Sequence, residues 1–162
     1  MKLLLAAILL GVTLFGLAGA VTGVQVSGVT GSPSIESASL QPLFPWVPPD
    51  GFSDHFPYGQ CTWWAAYNHP VSWSGNAGDW LKNASAQGFH TQLTPSAGAI
   101  AVFWPGAGYS DLGHVAIVIA VSPNAYTVSE MNFMGWGKVN TRTIGWPDAH
   151  VEGFIPLQEG EW

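Results

Sequence analysis

Apolar positions fall into three regimes along the chain. From Leu3 to Val21 they are continuous, relieved only by small residues and Thr13. From 22 to 50 they are scattered among Gly, Ser, Thr and Pro. From about residue 60 they become regular enough to predict elements. Residues 60–69 (QCTWWAAYNH) hold neither Gly nor Pro and predict a helix that stops before Pro70, with Gly59 at its entrance. Residues 76–88 (NAGDWLKNASAQG) predict a second helix, with Asn76 as candidate cap and Gly88 as stop. After Gly88 the period shortens. Residues 99–104 (AIAVFW) form a brief apolar run before Pro105-Gly106, and 114–122 (HVAIVIAVS) are apolar and β-branched. The turn residues SPNA lead into the alternating 126–132 (YTVSEMN), which predicts a β-hairpin. Residues 138–144 (KVNTRTI) alternate too, and 150–157 (HVEGFIPL) supply a last strand. Two helices followed by about five antiparallel strands define an α+β domain.

The first two regimes divide the chain. Lys2, the apolar run and Ala18-Gly19-Ala20 read residues 1–20 as an export signal with a small-x-small cleavage site. The run also approaches the ~20 residues that span a bilayer, so a retained membrane tether through residues 3–21 is the competing reading. Both readings put the rest of the chain outside the cytoplasm, secreted or membrane-anchored. Residues 21–50 read as a Gly/Ser/Pro-rich linker, with Phe44 and Trp46 available to lie against the domain. The domain is expected over 51–162.

Composition narrows the partners. The chain is 48% hydrophobic and 9% charged, with 9 Trp, which is the opposite of a disordered composition. Its net charge is −6 with only 4 Lys plus Arg, too few basic groups for nucleic-acid binding by counterion release or for a polybasic membrane patch. One cysteine rules out an internal disulfide, so the domain stands on its core, and a monomer is expected.

That cysteine, Cys61, lies at the start of the first predicted helix. Backbone N–H groups and the helix dipole favour thiolate there. A lone cysteine is also a common small core residue. A nucleophile needs a base within reach, and the base needs an orienting partner. His114, preceded by Gly113, opens the most apolar strand. Glu130 and Asn132 are two apart on the next strand and share a face. Pairing around the 122–125 turn sets His114 opposite about residue 132, with both acceptors near the imidazole. Separately, His114 would be a capped strand edge and Glu130 a solvated face; their alignment across one hairpin favours chemistry. His55, His69, His90 and His150 show no ligand spacing, and a second cysteine for a zinc site is lacking. No G-x-S-x-G elbow or Gly-rich phosphate loop occurs. No metal and no cofactor are expected.

The blocks GQCTWWA (59–65), GNAGDW (75–80), GAIAVF (98–103), GHVAIVIAV (113–121) and VSEMN (128–132) together resemble the CHAP domain, the cysteine, histidine-dependent amidohydrolase/peptidase family. The resemblance runs from about Tyr58 to Pro156. It implies a papain-like α+β fold and cleavage of amide bonds in peptidoglycan, by an N-acetylmuramoyl-L-alanine amidase or an endopeptidase. It implies Cys61 as nucleophile, His114 as base, Glu130 as its orienting partner and Asn132 as the fourth polar position. Gln60 is a candidate oxyanion donor beside backbone N–H groups. The family often has Gly-Asp before the first strand, where this chain has Gly98-Ala99. Some members bind calcium, and no calcium-loop pattern is visible here.

Trp63, Trp64, Trp80, Trp104 and Trp136 serve either as core or as groove walls; Trp63 and Trp136 are the substrate-side candidates, and 133–137 (FMGWG) the candidate substrate loop. Two further functions fit the composition: a non-catalytic cell-wall-binding module on the same fold, and a protein that pairs through an intermolecular disulfide. The first has no need of all four polar residues. The second predicts an exposed thiol without a nearby histidine.

Overall fold

The structure, a computed structural model, describes residues 42–52, 55–106 and 108–158. The expected export signal or tether and the linker up to residue 41 lie outside the described residues. Among the described residues no helix is long and apolar enough to cross a membrane.

Helix α1 spans Cys61–Asn68. A 3-10 turn, Ala77–Asp79, runs into helix α2, Trp80–Ala86. Five strands follow: β1 (Ile100–Phe103), β2 (His114–Ser122), β3 (Ala125–Met131), β4 (Val139–Gly145) and β5 (Val151–Ile155). They form one antiparallel sheet in the order β4-β3-β2-β1-β5. The α+β, papain-like architecture expected from the hydrophobic pattern and the family resemblance is the one observed.

Burial explains the two kinds of strand pattern. Strand β1 and the first half of β2 are buried on both faces, so they read as unbroken apolar runs. Edge strand β4 alternates between exposed and half-buried positions along its length. One face of the sheet carries Ile100, Val102, Val115, Ile117 and Ile155 against Ala65, Ala66 and Trp80 of the helices. The other carries Ala101, Phe103, Ala116, Val118, Tyr126 and Phe154. Trp80 is wholly buried and meets Trp73 edge-on at 5.7 Å. Each such side chain contributes about 2–3 kcal/mol of burial, which lets the fold stand without a disulfide.

The second predicted helix departs from expectation. Asn76 makes no side-chain cap; its carbonyl accepts from the Asp79 N–H at 2.9 Å. Gly78 donates to the Leu112 carbonyl at 2.8 Å, so the segment is pinned to the approach to β2 and tightens into a 3-10 turn before α2 begins.

The described end of the expected linker, 42–50, lies on the domain. Val47 is buried, Leu43 N–H donates to Asn68 Oδ1 at 3.0 Å, and Tyr67 donates to the Pro49 carbonyl at 3.3 Å. Phe44 and Trp46 stack at 4.3 Å.

Candidate active site

Cys61 is the first residue of α1, and Gln60 before it is extended at φ −94 and ψ 156. Gly59 sits at φ +93, and a Cβ there would lie 2.5 Å from the Trp136 ring. Its carbonyl accepts from the Gly137 N–H at 3.1 Å. The approach to the thiol is thus fastened to the 133–137 loop through a position only glycine can occupy. Gly113 has the same logic on the other side. It lies at φ +78, and a Cβ would stand 2.5 Å from the Gly78 nitrogen. This close approach tucks the start of β2 under the 3-10 turn and delivers His114 to Cys61.

His114 Nε2 and Glu130 Oε2 are 3.0 Å apart. That engagement leaves Nδ1 for the thiol, and the two side chains hydrogen-bond. The Val115 and Thr62 N–H groups also donate to the sulfur. Burial pushes the Cys61 thiol up, but the His114 hydrogen bond and charge, with the two backbone donors, bring it below its ordinary value. Burial opposes charge on His114, and Cys61 and Glu130 overcome it, raising the imidazole to about 9. Burial also opposes charge on Glu130, yet His114, Arg142 and Asn140 hold its carboxyl down at about 2. The arrangement favours a thiolate, an imidazolium and a carboxylate in one hydrogen-bonded row.

A cavity of about 370 Å³ opens beside this row, walled by Gln60, Cys61, Tyr109, His114, Asn132 and Phe133 among others. A second, of about 250 Å³, shares Gln60 and Cys61 and extends past Phe56, Pro57 and Asn76. The thiol therefore borders two basins, room for a substrate on either side of a reacting bond.

Asn132 lines the first cavity together with His114, and its hydrogen bond runs to Gln60 rather than to the imidazole. It adopts φ 66, which ends the strand alternation that would have kept it on the face of Glu130. Its Nδ2 donates instead to Gln60 Oε1 at 2.9 Å. Trp63 and Trp136 wall neither cavity. Trp63 packs against Tyr58 and Tyr67 at 4.8 and 5.1 Å. Trp136 is 62% exposed and caps Gly59. Trp64 and Trp80 belong to the core, and Trp104 is exposed.

Three partners were not anticipated from the sequence. Asn140 Nδ2 and Arg142 Nε donate to Glu130 Oε1 at 2.9 and 2.8 Å. Arg142 Nη2 donates to Glu130 Oε2 at 3.1 Å and to the Tyr109 hydroxyl at 2.8 Å. The alternation of 138–144 puts Asn140 and Arg142 on one face. Only the β3–β4 register, with Glu130 opposite Asn140, shows that this face meets the carboxylate. Among the described residues no group of three or more His, Cys, Asp or Glu gathers to hold a metal.

The CHAP domain family model matches residues 51–132. The chain belongs to the CHAP-domain family. It is 39% identical over 103 residues to the staphylococcal secretory antigen ssaA2 of Staphylococcus aureus, covering 60% of this chain and 37% of that one. It is 37% identical over 110 residues to an N-acetylmuramoyl-L-alanine amidase domain-containing protein of the same organism, covering 62% and 18%. The crystal structure of an N-acetylmuramoyl-L-alanine amidase from Staphylococcus aureus aligns with a TM-score of 0.57 and 31% identity, over 65% of this chain and 33% of that chain. The chain spans less than half the length of the curated relatives it matches.

Proposed function

We propose that this domain hydrolyses an amide bond of peptidoglycan outside the cytoplasm, with Cys61 as nucleophile. The observation that carries the reading is the hydrogen-bonded row Cys61–His114–Glu130 bordering an open cavity. The amidase names among its relatives support the substrate class.

His114 holds the proton of the Cys61 thiol, leaving thiolate. The sulfur attacks the amide carbonyl carbon, and the C–O π electrons move onto oxygen. Donors for that oxyanion are the Gln60 amide, held by Asn132, and the Cys61 backbone N–H at the start of α1. The imidazolium then protonates the departing nitrogen as the C–N bond breaks, leaving a thioester. Neutral His114 takes a proton from water, the hydroxide oxygen attacks the thioester carbon, and the C–S bond breaks, releasing the carboxylic acid and restoring the thiolate–imidazolium pair. Glu130 fixes the imidazole orientation and balances its charge throughout.

The test is digestion of purified peptidoglycan by the full chain, with Cys61→Ala alongside, read by mass spectrometry. Fragments from the wild type alone support the reading. A sugar with a free lactoyl carboxylate, and a released stem peptide with a new amino terminus on L-alanine, identify an amidase; a new amino terminus within a stem or cross-bridge identifies an endopeptidase. No fragments from folded wild-type protein would overturn hydrolysis and leave a wall-binding module.

A further inference from the structure

Three of the groups that surround the His114 imidazole meet at one side chain outside the Cys-His-Glu row. Arg142 comes from edge strand β4, and its side chain is 26% exposed. Its guanidinium forks onto both oxygens of Glu130, at 2.8 Å through Nε and 3.1 Å through Nη2. The same Nη2 reaches the Tyr109 hydroxyl at 2.8 Å. Its planar face lies 4.2 Å from the Phe133 ring centre and 5.4 Å from that of Tyr109. Both rings in turn flank the imidazole. Tyr109 stacks on it at 5.4 Å and 17°, and Phe133 tilts against it at 5.9 Å.

We propose that Arg142 is a positioning residue for the Cys61–His114 pair, holding Glu130, Tyr109 and Phe133 around the imidazole at once. The inference rests on the hydrolytic reading above for its kinetic part only. Glu130 is wholly buried, and a buried carboxyl left without a cation takes up a proton or swings away. Arg142 supplies a fixed positive charge with a geometry matched to two carboxylate oxygens. Glu130 therefore stays ionised and keeps Oε2 toward Nε2. The aromatic contacts extend that control to two walls of the cavity, since Tyr109 and Phe133 both line it. One edge-strand residue thereby ties the charge behind the imidazole to the surface a substrate would touch.

A lysine in this place keeps the charge and loses the rest. An ammonium is a point charge that cannot bridge both carboxylate oxygens and the tyrosine hydroxyl together. Arg142→Lys and Arg142→Met thus separate charge from geometry. Among the described residues, the titratable groups near this cluster are Glu130 on β3, His114 on β2, the Cys61 thiol, Tyr109, and Asp148, whose charge acts on Tyr109.

The experiment measures the rate of Cys61 alkylation by iodoacetamide against pH, in the wild type, Arg142→Met, Arg142→Lys and Tyr109→Phe. It counts reactive thiol directly and needs no wall substrate. Losing the guanidinium removes a positive charge and weakens the carboxylate that supports the imidazolium. Both changes disfavour thiolate. In Arg142→Met the acid onset of alkylation moves up by about one pH unit. Arg142→Lys restores most of that onset. On digestible wall, kcat of Arg142→Met falls about 10–100-fold with KM within about twofold, and Arg142→Lys recovers only part of kcat. Tyr109→Phe keeps the ring and loses the hydroxyl bond; it lowers kcat several-fold without moving the onset. A wild-type onset in folded Arg142→Met would overturn the proposal, leaving Arg142 a purely structural ion pair. If Arg142→Met does not fold, unchanged kcat in both Arg142→Lys and Tyr109→Phe overturns it instead. A shifted onset in a protein that digests no wall would sustain Arg142 positioning while rejecting the hydrolytic reading.

Discussion

Asn132 Nδ2 donates to Gln60 Oε1 at 2.9 Å, joining the end of β3 to the residue before the thiol across 72 positions of sequence. An amide held by its oxygen presents its nitrogen elsewhere, and Gln60 lines the cavity beside Cys61. Gln60→Ala is expected to lower kcat about 100-fold with little change in KM, the size found for loss of one oxyanion donor. Asn132→Ala leaves Gln60 in place but unheld, and the expected loss is about tenfold. Steady-state digestion of dye-labelled wall reads both. Equal, small losses would assign the oxyanion to backbone N–H groups alone.

Gly59 tests the fastening of the 133–137 loop. Gly59→Ala meets the left-handed backbone penalty of about 1–2 kcal/mol and a clash with the Trp136 ring. Removing the ring relieves only the clash. Urea unfolding should therefore show Gly59→Ala destabilising the wild type more than it destabilises Trp136→Ala. Equal penalties in the two backgrounds would mean the ring does not rest on Gly59 in solution.

Much of this arrangement was legible because local signals and the fold agree. Gly59 and Gly113 mark two places where a Cβ would collide, with the Trp136 ring and with the Gly78 backbone, and each precedes a site segment. The two-sided burial of β1 and β2 showed as unbroken apolar runs. Strand alternation placed Glu130 on the His114 side, but it failed one step later at Asn132, because nothing in the local pattern announces φ 66. Arg142 and Tyr109 escaped for another reason. Their roles depend on strand register and loop path, which are long-range properties that short-range periodicity does not carry.

The paired pKa shifts predict a broad activity plateau. On the acid side activity rises as the Cys61 thiolate forms, below the usual thiol range. On the alkaline side it falls as pH rises through about 9, where the imidazolium loses its proton. These limbs belong to the coupled pair. The profile of kcat/KM on labelled wall checks them. An alkaline limb near 6.5, the ordinary imidazole value, would show that the pair is not formed in the free protein.

Stability should depend on pH through a different histidine. His69 is completely buried, and desolvation lowers its imidazole to about 4, against partial support from the Pro70, Pro156 and Ile155 carbonyls. A depressed folded pKa gives stability that is present above the unfolded value of 6.5 and lost as pH falls through about 4. Glu130 adds a loss at lower pH, as pH falls from 4.5 through about 2. The raised His114 acts oppositely: its contribution is whole below 6.5 and lost as pH rises through about 9. Thermal unfolding should thus be most resistant near neutrality. His69→Asn keeps a donor for the Pro70 carbonyl and cannot titrate. It should flatten the slope between pH 6.5 and 4, although overall stability falls. An unchanged slope would remove His69 as its cause.

Glu130→Gln is the sharpest test of the charge behind the imidazole, because every partner of Glu130 is a donor. Oε1 accepts from Asn140 and Arg142, and Oε2 accepts from Arg142 and pairs with His114 Nε2. A glutamine amide offers one oxygen and one NH2, so whichever way it turns, one side sets donor against donor. If its nitrogen faces His114, the ring must present an unprotonated Nε2 and the proton moves to the nitrogen beside the thiol. That tautomer cannot accept the thiol proton. If its nitrogen faces Arg142, two N–H groups oppose the guanidinium in a buried site. Either outcome removes the carboxylate that stabilises imidazolium. The expected fall in kcat is about 100- to 10,000-fold, with the folded structure retained by circular dichroism. Alkylation of Cys61 near neutral pH should slow in the same variant, since the thiolate loses its partner. Wild-type kcat with Glu130→Gln would show that His114 needs only a hydrogen-bonding neighbour, and would remove the carboxylate charge from the mechanism.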